Sequence, residues 1–169
     1  PIPIKQNRYY PCFEYMFILS KGKPKTFNPI MRESLSAGTK VRARQRSGID
    51  SYIKNPTGKN STKEYSIEYN LWSYKVGSVG QTSMDKIAYK HPAQFPEKLA
   101  EDHIISWSNE GDIVLDPMCG AGTTCKMAWL NKRNFIGIDI SEEYINNICK
   151  PRLKQYGWNE SNLNNTINY

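Results

Sequence analysis

The sequence has few histidines and no paired cysteines. It holds two histidines, His91 and His103, and four cysteines, Cys12, Cys119, Cys125 and Cys149. None of the cysteines forms a CxxC pair, and no histidine stands at ligand spacing from them. No metal site is therefore expected, and scattered thiols of this kind suit a reducing, cytoplasmic setting. No apolar run approaches the roughly 20 residues that cross a bilayer, so no membrane partner is expected. The opening PIPIKQNRYY has neither a starting methionine nor the apolar centre of a secretory signal. Internal repeats are absent. What remains is 169 residues, 38% apolar and 12% aromatic, a composition that excludes disorder and fits one domain or one domain with an elaborated lobe.

The charge is uneven. Residues 1–90 carry 16 Lys/Arg and six Asp/Glu, whereas residues 91–169 carry seven and ten. A basic half joined to a mildly acidic one points to a polyanion as partner for the first, and nucleic acid is the expected one. Within that half, Lys40-Val-Arg-Ala-Arg-Gln-Arg46 alternates bases with small residues. In an extended strand this puts Lys40, Arg42, Arg44 and Arg46 on one side, about 7 Å apart, close to the phosphate repeat of one DNA strand.

Hydrophobic patterning gives the elements. Residues 13–19 (FEYMFIL) read as a buried strand stopped by Ser20–Pro24, and residues 65–76 as one or two strands; 77–90 is a polar linker. Pro96 suits the start of a helix whose face is marked by Leu99, Ile104 and Trp107 up to Ser108. Asn109-Glu110-Gly111 is a turn and Asp112–Leu115 a short buried strand. A glycine turn at Gly120 and Gly122 leads into a helix over Thr123–Leu130, followed by a strand over Asn134–Ile138. Ser141 is placed to cap a further helix, with Glu142 and Glu143 favourable against its dipole. Pro151 is expected to kink or end that helix, and the Asn-rich tail after Gly157 to be loose.

Strand, glycine turn, helix, and a second strand ending in an acid follow the logic of a nucleotide-type site in an open α/β sheet. Asp116 closes the first strand and Asp139 the second. An acid in the second position can accept from both ribose hydroxyls of an adenosine. The turn DPMCGAGTT is neither GxGxxG nor GxxxxGK followed by Ser or Thr, and it has no lysine for a phosphate. A ligand with adenosine, carboxylate and ammonium but no phosphate suits it better, with Thr123 and Thr124 offering hydroxyls to the carboxylate. The alternatives are a glycine turn that only connects strand to helix, and an Asp139 that only caps the helix after it.

His91–Ile104 (HPAQFPEKLAEDHI), Asp112–Thr124 (DIVLDPMCGAGTT) and Asn134–Tyr144 (NFIGIDISEEY) closely resemble, in order and spacing, successive motifs of the N6-adenine and N4-cytosine DNA methyltransferases, which read HPAxFP, DPFxGSGTT and a strand ending in Gly-x-Glu/Asp. The likeness is tight over residues 91–153 and looser over 1–30. Met118 stands for the usual Phe and Ala121 for the usual Ser. The resemblance implies a Rossmann-like α/β methyltransferase core, incomplete here, with an inserted basic target-recognition lobe. It implies S-adenosyl-L-methionine as cofactor. Asp116, Pro117, Met118, Gly120, Gly122 and Thr123 match the loop around its methionine part, Asp139 the ribose acid, and His91, Pro92, Ala93 and Phe95 the segment folding over it.

In the permuted subclass, residues 1–30 correspond to the segment after the catalytic loop, 31–90 to target recognition, 91–156 to the cofactor part and 157–169 to a polar tail. The implied reaction is methyl transfer to the exocyclic amino group of adenine (N6) or cytosine (N4) in double-stranded DNA, in restriction–modification or phage–host modification, with Tyr10 or Phe13 as candidates to stack on the flipped base. The family's catalytic tetrapeptide is Asp, Asn or Ser, then two prolines and an aromatic residue. It is absent from these 169 residues. The expectation is that the chain is part of a longer enzyme, inactive by itself. The alternatives are one subunit of a split enzyme or a nonenzymatic binding remnant; the protein partner to expect is a complementary chain carrying the catalytic loop, or a second copy in a homodimer.

Overall fold

Two short strands come first among the elements of the described residues. β1 (Met31–Glu33) pairs antiparallel with β2 (Tyr65–Ile67), Arg32 opposite Ser66. The computed structural model describes residues 13–38, 63–76, 80, 82–162 and 165–168. Tyr10 and the basic run Lys40, Arg42, Arg44 and Arg46 lie outside the described residues.

The expected strand over 13–19 is not formed. FEYMFIL has no ladder partner among the described residues and stands exposed, Phe17 at 80% and Leu19 at 90%. Strand propensity becomes a strand only where backbone partners exist. The expected strands over 65–76 shrink to β2 for a different reason. Beyond Ile67 the aromatics dock on a helix: the Trp72 ring lies 4.9 Å from His103, and the Tyr74 hydroxyl donates to Asp102 at 3.0 Å.

That helix, α1 (Glu97–Trp107), begins after Pro96, whose missing N–H is not needed in a first turn. Its buried residues are Ala100, Asp102, Ile104 and Ser106, so the expected face of Leu99, Ile104 and Trp107 is only partly right. The helix is covered on more than one side. Trp72 and Tyr74 lie against it, Phe27 stacks 5.0 Å from Trp107, and Asn28 Nδ2 donates to the orphan carbonyls of Ile105 and Ser108 at 3.1 and 3.0 Å.

β3 (Ile113–Asp116), β4 (Asn134–Ile138) and β5 (Asn165–Asn168) form a parallel sheet in the order β3-β4-β5, with Asp116 opposite Gly137 and Ile138 opposite Asn168. The tail expected to be loose thus supplies the third strand. Trp158 pins it, buried and 6.3 Å from the Phe135 ring. β3 is also not the fully buried strand expected. Ile113 is 64% and Leu115 60% exposed, because α2 (Thr123–Leu130) packs on one face of the sheet and no described element covers these two side chains.

After β4, α3 (Glu142–Tyr144), a π-turn (Ile145–Cys149) and α4 (Lys150–Lys154) run on as one helical rod. Pro151 does not end it. The wider π-turn immediately before the proline takes up the lost donor and the ring's clash with the preceding turn. The core gathers Ile104, Cys125, Met127, Phe135, Ile145, Cys149, Leu153, Trp158 and Ile167 between sheet and helices. Burying one such large side chain contributes about 1.5–3 kcal/mol.

Candidate active site at the strand ends

Parallel strands present their C-terminal ends together, and here those ends carry Asp116 and Asp139, both half-buried. Asp116 Oδ1 accepts from the Met118 amide at 3.1 Å, closing the turn over Pro117. Cys119 N donates to Ile138 O at 2.8 Å, which brings the loop back across the end of β4. Gly120 N then donates to Asp139 Oδ2 at 2.8 Å, and Ser141 N donates to Oδ1 of the same carboxylate at 2.9 Å. Each oxygen keeps a lone pair, so Asp139 can still accept hydroxyl donors. Ser141 itself caps α3, its hydroxyl accepting from Tyr144 N at 3.2 Å. Ser141 is thus the cap of α3, and Asp139 binds the N–H of that cap residue instead of capping the helix itself.

The glycines are required by close approach. Gly120 (φ 47°) lies under the His91 ring, where an added Cβ would sit 2.7 Å from Nε2. Gly122 (φ 72°) ends the loop as the N-cap of α2, and a Cβ there would collide with Cys149 Sγ. Gly137 lets α2 close on the sheet: its Cβ would fall 2.7 Å from Cys125 Sγ and 3.2 Å from Cys119 Sγ. The three thiols thus pack beneath the loop as filler. Hydrogen bonding to Cys119 and burial push the Cys125 and Cys149 thiols up, which keeps them protonated.

His91 also stacks edge-on with Tyr144 at 4.5 Å and bonds through Nδ1 to Ala93 O at 2.9 Å, so the His-Pro-Ala turn lies over the loop. Pro92, Ala93, Phe95, Pro117 and Met118 are exposed at the rim, while Thr123 is buried. Phe13, described at its own end of the chain, is exposed and packs on Tyr15 at 5.3 Å.

The donor set fits a phosphate-free adenosine ligand. It offers a strand-end carboxylate with spare lone pairs, glycine backbone without Cβ, and a helix start whose first N–H groups have no intrahelical partner. No lysine enters the loop. Gln94 Oε1 is a buried acceptor with no hydrogen-bond partner, and an amino group of a ligand would satisfy it. Gln94 holds the unspecified position of the His-Pro-Ala-x-Phe-Pro motif, so nothing in the sequence singles it out.

A buried ion cluster behind the loop is likewise marked by no motif. Lys126 (2% exposed) sits mid-helix with Nζ 2.8 Å from both Asp85 Oδ2 and Glu97 Oε1. Arg152 (0% exposed) bonds the same two carboxylate oxygens, at 2.6 Å each. Tyr156 donates to Asp85, and Ser83 to Glu97. Burial by itself would raise both carboxyls; the bonds from Lys126, with Tyr156 and Arg152 on Asp85 and Ser83 on Glu97, outweigh it and hold both below the usual range. A charged residue inside the apolar run Cys125–Leu130 is the one signal that could have pointed here.

A sequence profile of the DNA methylase family matches residues 1–150. The chain belongs to the N6/N4 DNA methyltransferase family. It is 50% identical to the orphan methyltransferase M.BamHII of Bacillus amyloliquefaciens over 153 residues, which is 89% of this chain and 57% of that protein. It is 41% identical to the DNA adenine methyltransferase YhdJ of Escherichia coli over 60% of this chain and 32% of that one. Among solved structures, the cytosine-N4-specific PvuII DNA methyltransferase is 26% identical over 58% of this chain and 38% of its own, with a TM-score of 0.37. The chain thus spans little more than half the length of M.BamHII and less of YhdJ. Within the methyltransferase family the parallel β3-β4-β5 sheet with its helices is part of a Rossmann-like core, as the resemblance implied.

Proposed function

We propose that this chain holds S-adenosylmethionine across the ends of β3 and β4 and takes part in methylating adenine N6 or cytosine N4 in duplex DNA. The supporting observation is that Asp116 and Asp139 stand at neighbouring strand ends, with Gly120 bonded to Asp139 and lying under the His91 ring. The bound cofactor would supply a sulfonium methyl. The protein's own task is to hold the ligand: Asp139 for the ribose, Gly120 to Thr123 for the methionine end, and His91, Pro92, Ala93 and Phe95 as a cover that excludes water. The amino nitrogen would take the methyl directly as the S–CH3 bond breaks, leaving S-adenosylhomocysteine and losing one proton, with no covalent link between enzyme and base.

Residues 31–90, including Lys40, Arg42, Arg44 and Arg46, would contact the DNA, and Phe13 or Tyr10 would stack on the flipped base. Restriction–modification is the setting this reading favours. The catalytic tetrapeptide does not occur in the 169 residues, so the reading requires it from a longer reading frame or a second chain. The test is mass spectrometry of nucleosides from DNA methylated by this chain together with a segment carrying the tetrapeptide. N6-methyladenine or N4-methylcytosine is the expected product, and 5-methylcytosine would overturn the class.

A further inference from the structure

We propose that Arg152 is a positioning residue for the cofactor loop: it fixes the Thr123 hydroxyl and the Ala121 carbonyl so that the loop presents a hydrogen-bond donor to the carboxylate of the ligand. The inference rests on the cofactor reading above and concerns a residue far from the motifs in sequence. Arg152 lies on α4, one helical turn beyond Cys149, whose sulfur packs against Gly122. Its guanidinium uses every edge. Nε and Nη2 bind Asp85 and Glu97 at 2.6 Å, and Nη2 also donates to Ser83 Oγ at 3.1 Å. Nη1 turns the other way, donating to Ala121 O at 2.8 Å and to Thr123 Oγ1 at 3.0 Å.

The consequence for Thr123 follows from donor counting. A threonine hydroxyl has one proton and accepts through its lone pairs. With Arg152 occupying the acceptor side, the proton is left to be given away at the first residue of α2, and the positive neighbour polarises it. Fixed in this way, Thr123 is set to meet an anion rather than a cation. The carboxylates do the complementary work. Asp85 and Glu97, shared with Lys126, balance the guanidinium so that no net charge is buried and its plane is held. A lysine in place of Arg152 would keep the charge but could not reach both carboxylates and both loop acceptors from one planar group.

The experiment is calorimetry on the 169-residue chain with two ligands, S-adenosylhomocysteine, which carries the carboxylate, and adenosine, which does not. Arg152→Lys should lower affinity for the first on the order of tenfold, the worth of one charge-assisted hydrogen bond, and leave the second within about twofold. Thr123→Val should do the same, and the double variant should lose no more than either alone. Additive losses, or equal loss of both ligands tracking a fall in melting temperature, would reduce Arg152 to a structural role and overturn the proposal. Should Arg152→Lys fail to fold, Ser83→Ala removes one anchor of the guanidinium without changing charge. A smaller loss confined to S-adenosylhomocysteine is then expected, and an unchanged ratio of the two affinities overturns the proposal. A parent chain that binds neither ligand would instead refute the cofactor reading itself, and the role of Arg152 with it.

Discussion

Gly122 joins two constraints that a side chain would violate together. Its φ of 72° disfavours any L residue, and Cys149 Sγ fills the space a Cβ would need. Gly122→Ala should therefore destabilise the fold by about 1–3 kcal/mol, seen as a lower melting temperature, with partial recovery in the double variant carrying Cys149→Ala. Lys132 shows the opposite case. It sits just past α2 with φ 62°, its N–H bonded to Trp129 O at 3.0 Å, in a position usually taken by glycine. Lys132→Gly should stabilise by roughly 0.5–1 kcal/mol in denaturant titration, since the ion pair its side chain makes among the described residues is with the exposed Glu110. At the strand end, Asp139→Ala should weaken S-adenosylhomocysteine binding by about 2–4 kcal/mol. Asp139 also ties Gly120 and Ser141, so Asp139→Asn, which can keep an acceptor for the loop, is the companion variant. Unchanged affinity in both would remove Asp139 from the site.

Among the elements, periodicity served best where one face decides the outcome. The helix Thr123–Leu130 and the strand Asn134–Ile138 have the bounds that patterning and the glycine turn predict. β3 illustrates the limit. Its run is apolar throughout, the pattern of a strand covered on both faces, yet the described residues cover one. FEYMFIL does not form its strand, and Pro151 does not end its helix, for non-local reasons, a ladder partner missing among the described residues and a π-turn that only the folded rod supplies. The basic run is an element-scale prediction of its own. If Lys40, Arg42, Arg44 and Arg46 grip phosphates, each alanine replacement should lower the slope of log K against log salt by roughly one unit. A quadruple variant that binds and selects DNA like the parent would exclude the segment from the interface.

For the whole molecule, the buried cluster sets a pH window. Asp85 and Glu97 are held below their ordinary values, so their contribution is complete above about pH 4 and is lost as acid takes the pH down through their folded values. Lys126 runs the other way. Burial would lower it, but its bonds to Asp85 and Glu97 raise it above 10.5, so its contribution is complete below that value and lost only at higher pH. Melting temperature should accordingly fall on acidification below about pH 4. Asp85→Asn should cost on the order of 3–5 kcal/mol at neutral pH, because it uncovers two buried cations, and should flatten the acid limb. An acid limb as steep as the parent's would show that other groups control it.

The local order of motifs, the strand–turn–helix that joins Asp116 to Thr123, the strand-end acids and the family itself were determined by sequence, because each depends on residues within about thirty positions and on backbone rules that hold in any context. Only the tertiary structure decided that Asp85, Glu97, Lys126 and Arg152 share one buried knot, that an Asn-rich tail completes the sheet, and that three thiols fill the space beneath two glycines. The reason is distance. Arg152 lies 67 residues from Asp85 and 55 from Glu97, and no pattern in one dimension marks which charges will be desolvated together. Burial is a property of what packs around a side chain, and that is settled when the helices close on the sheet.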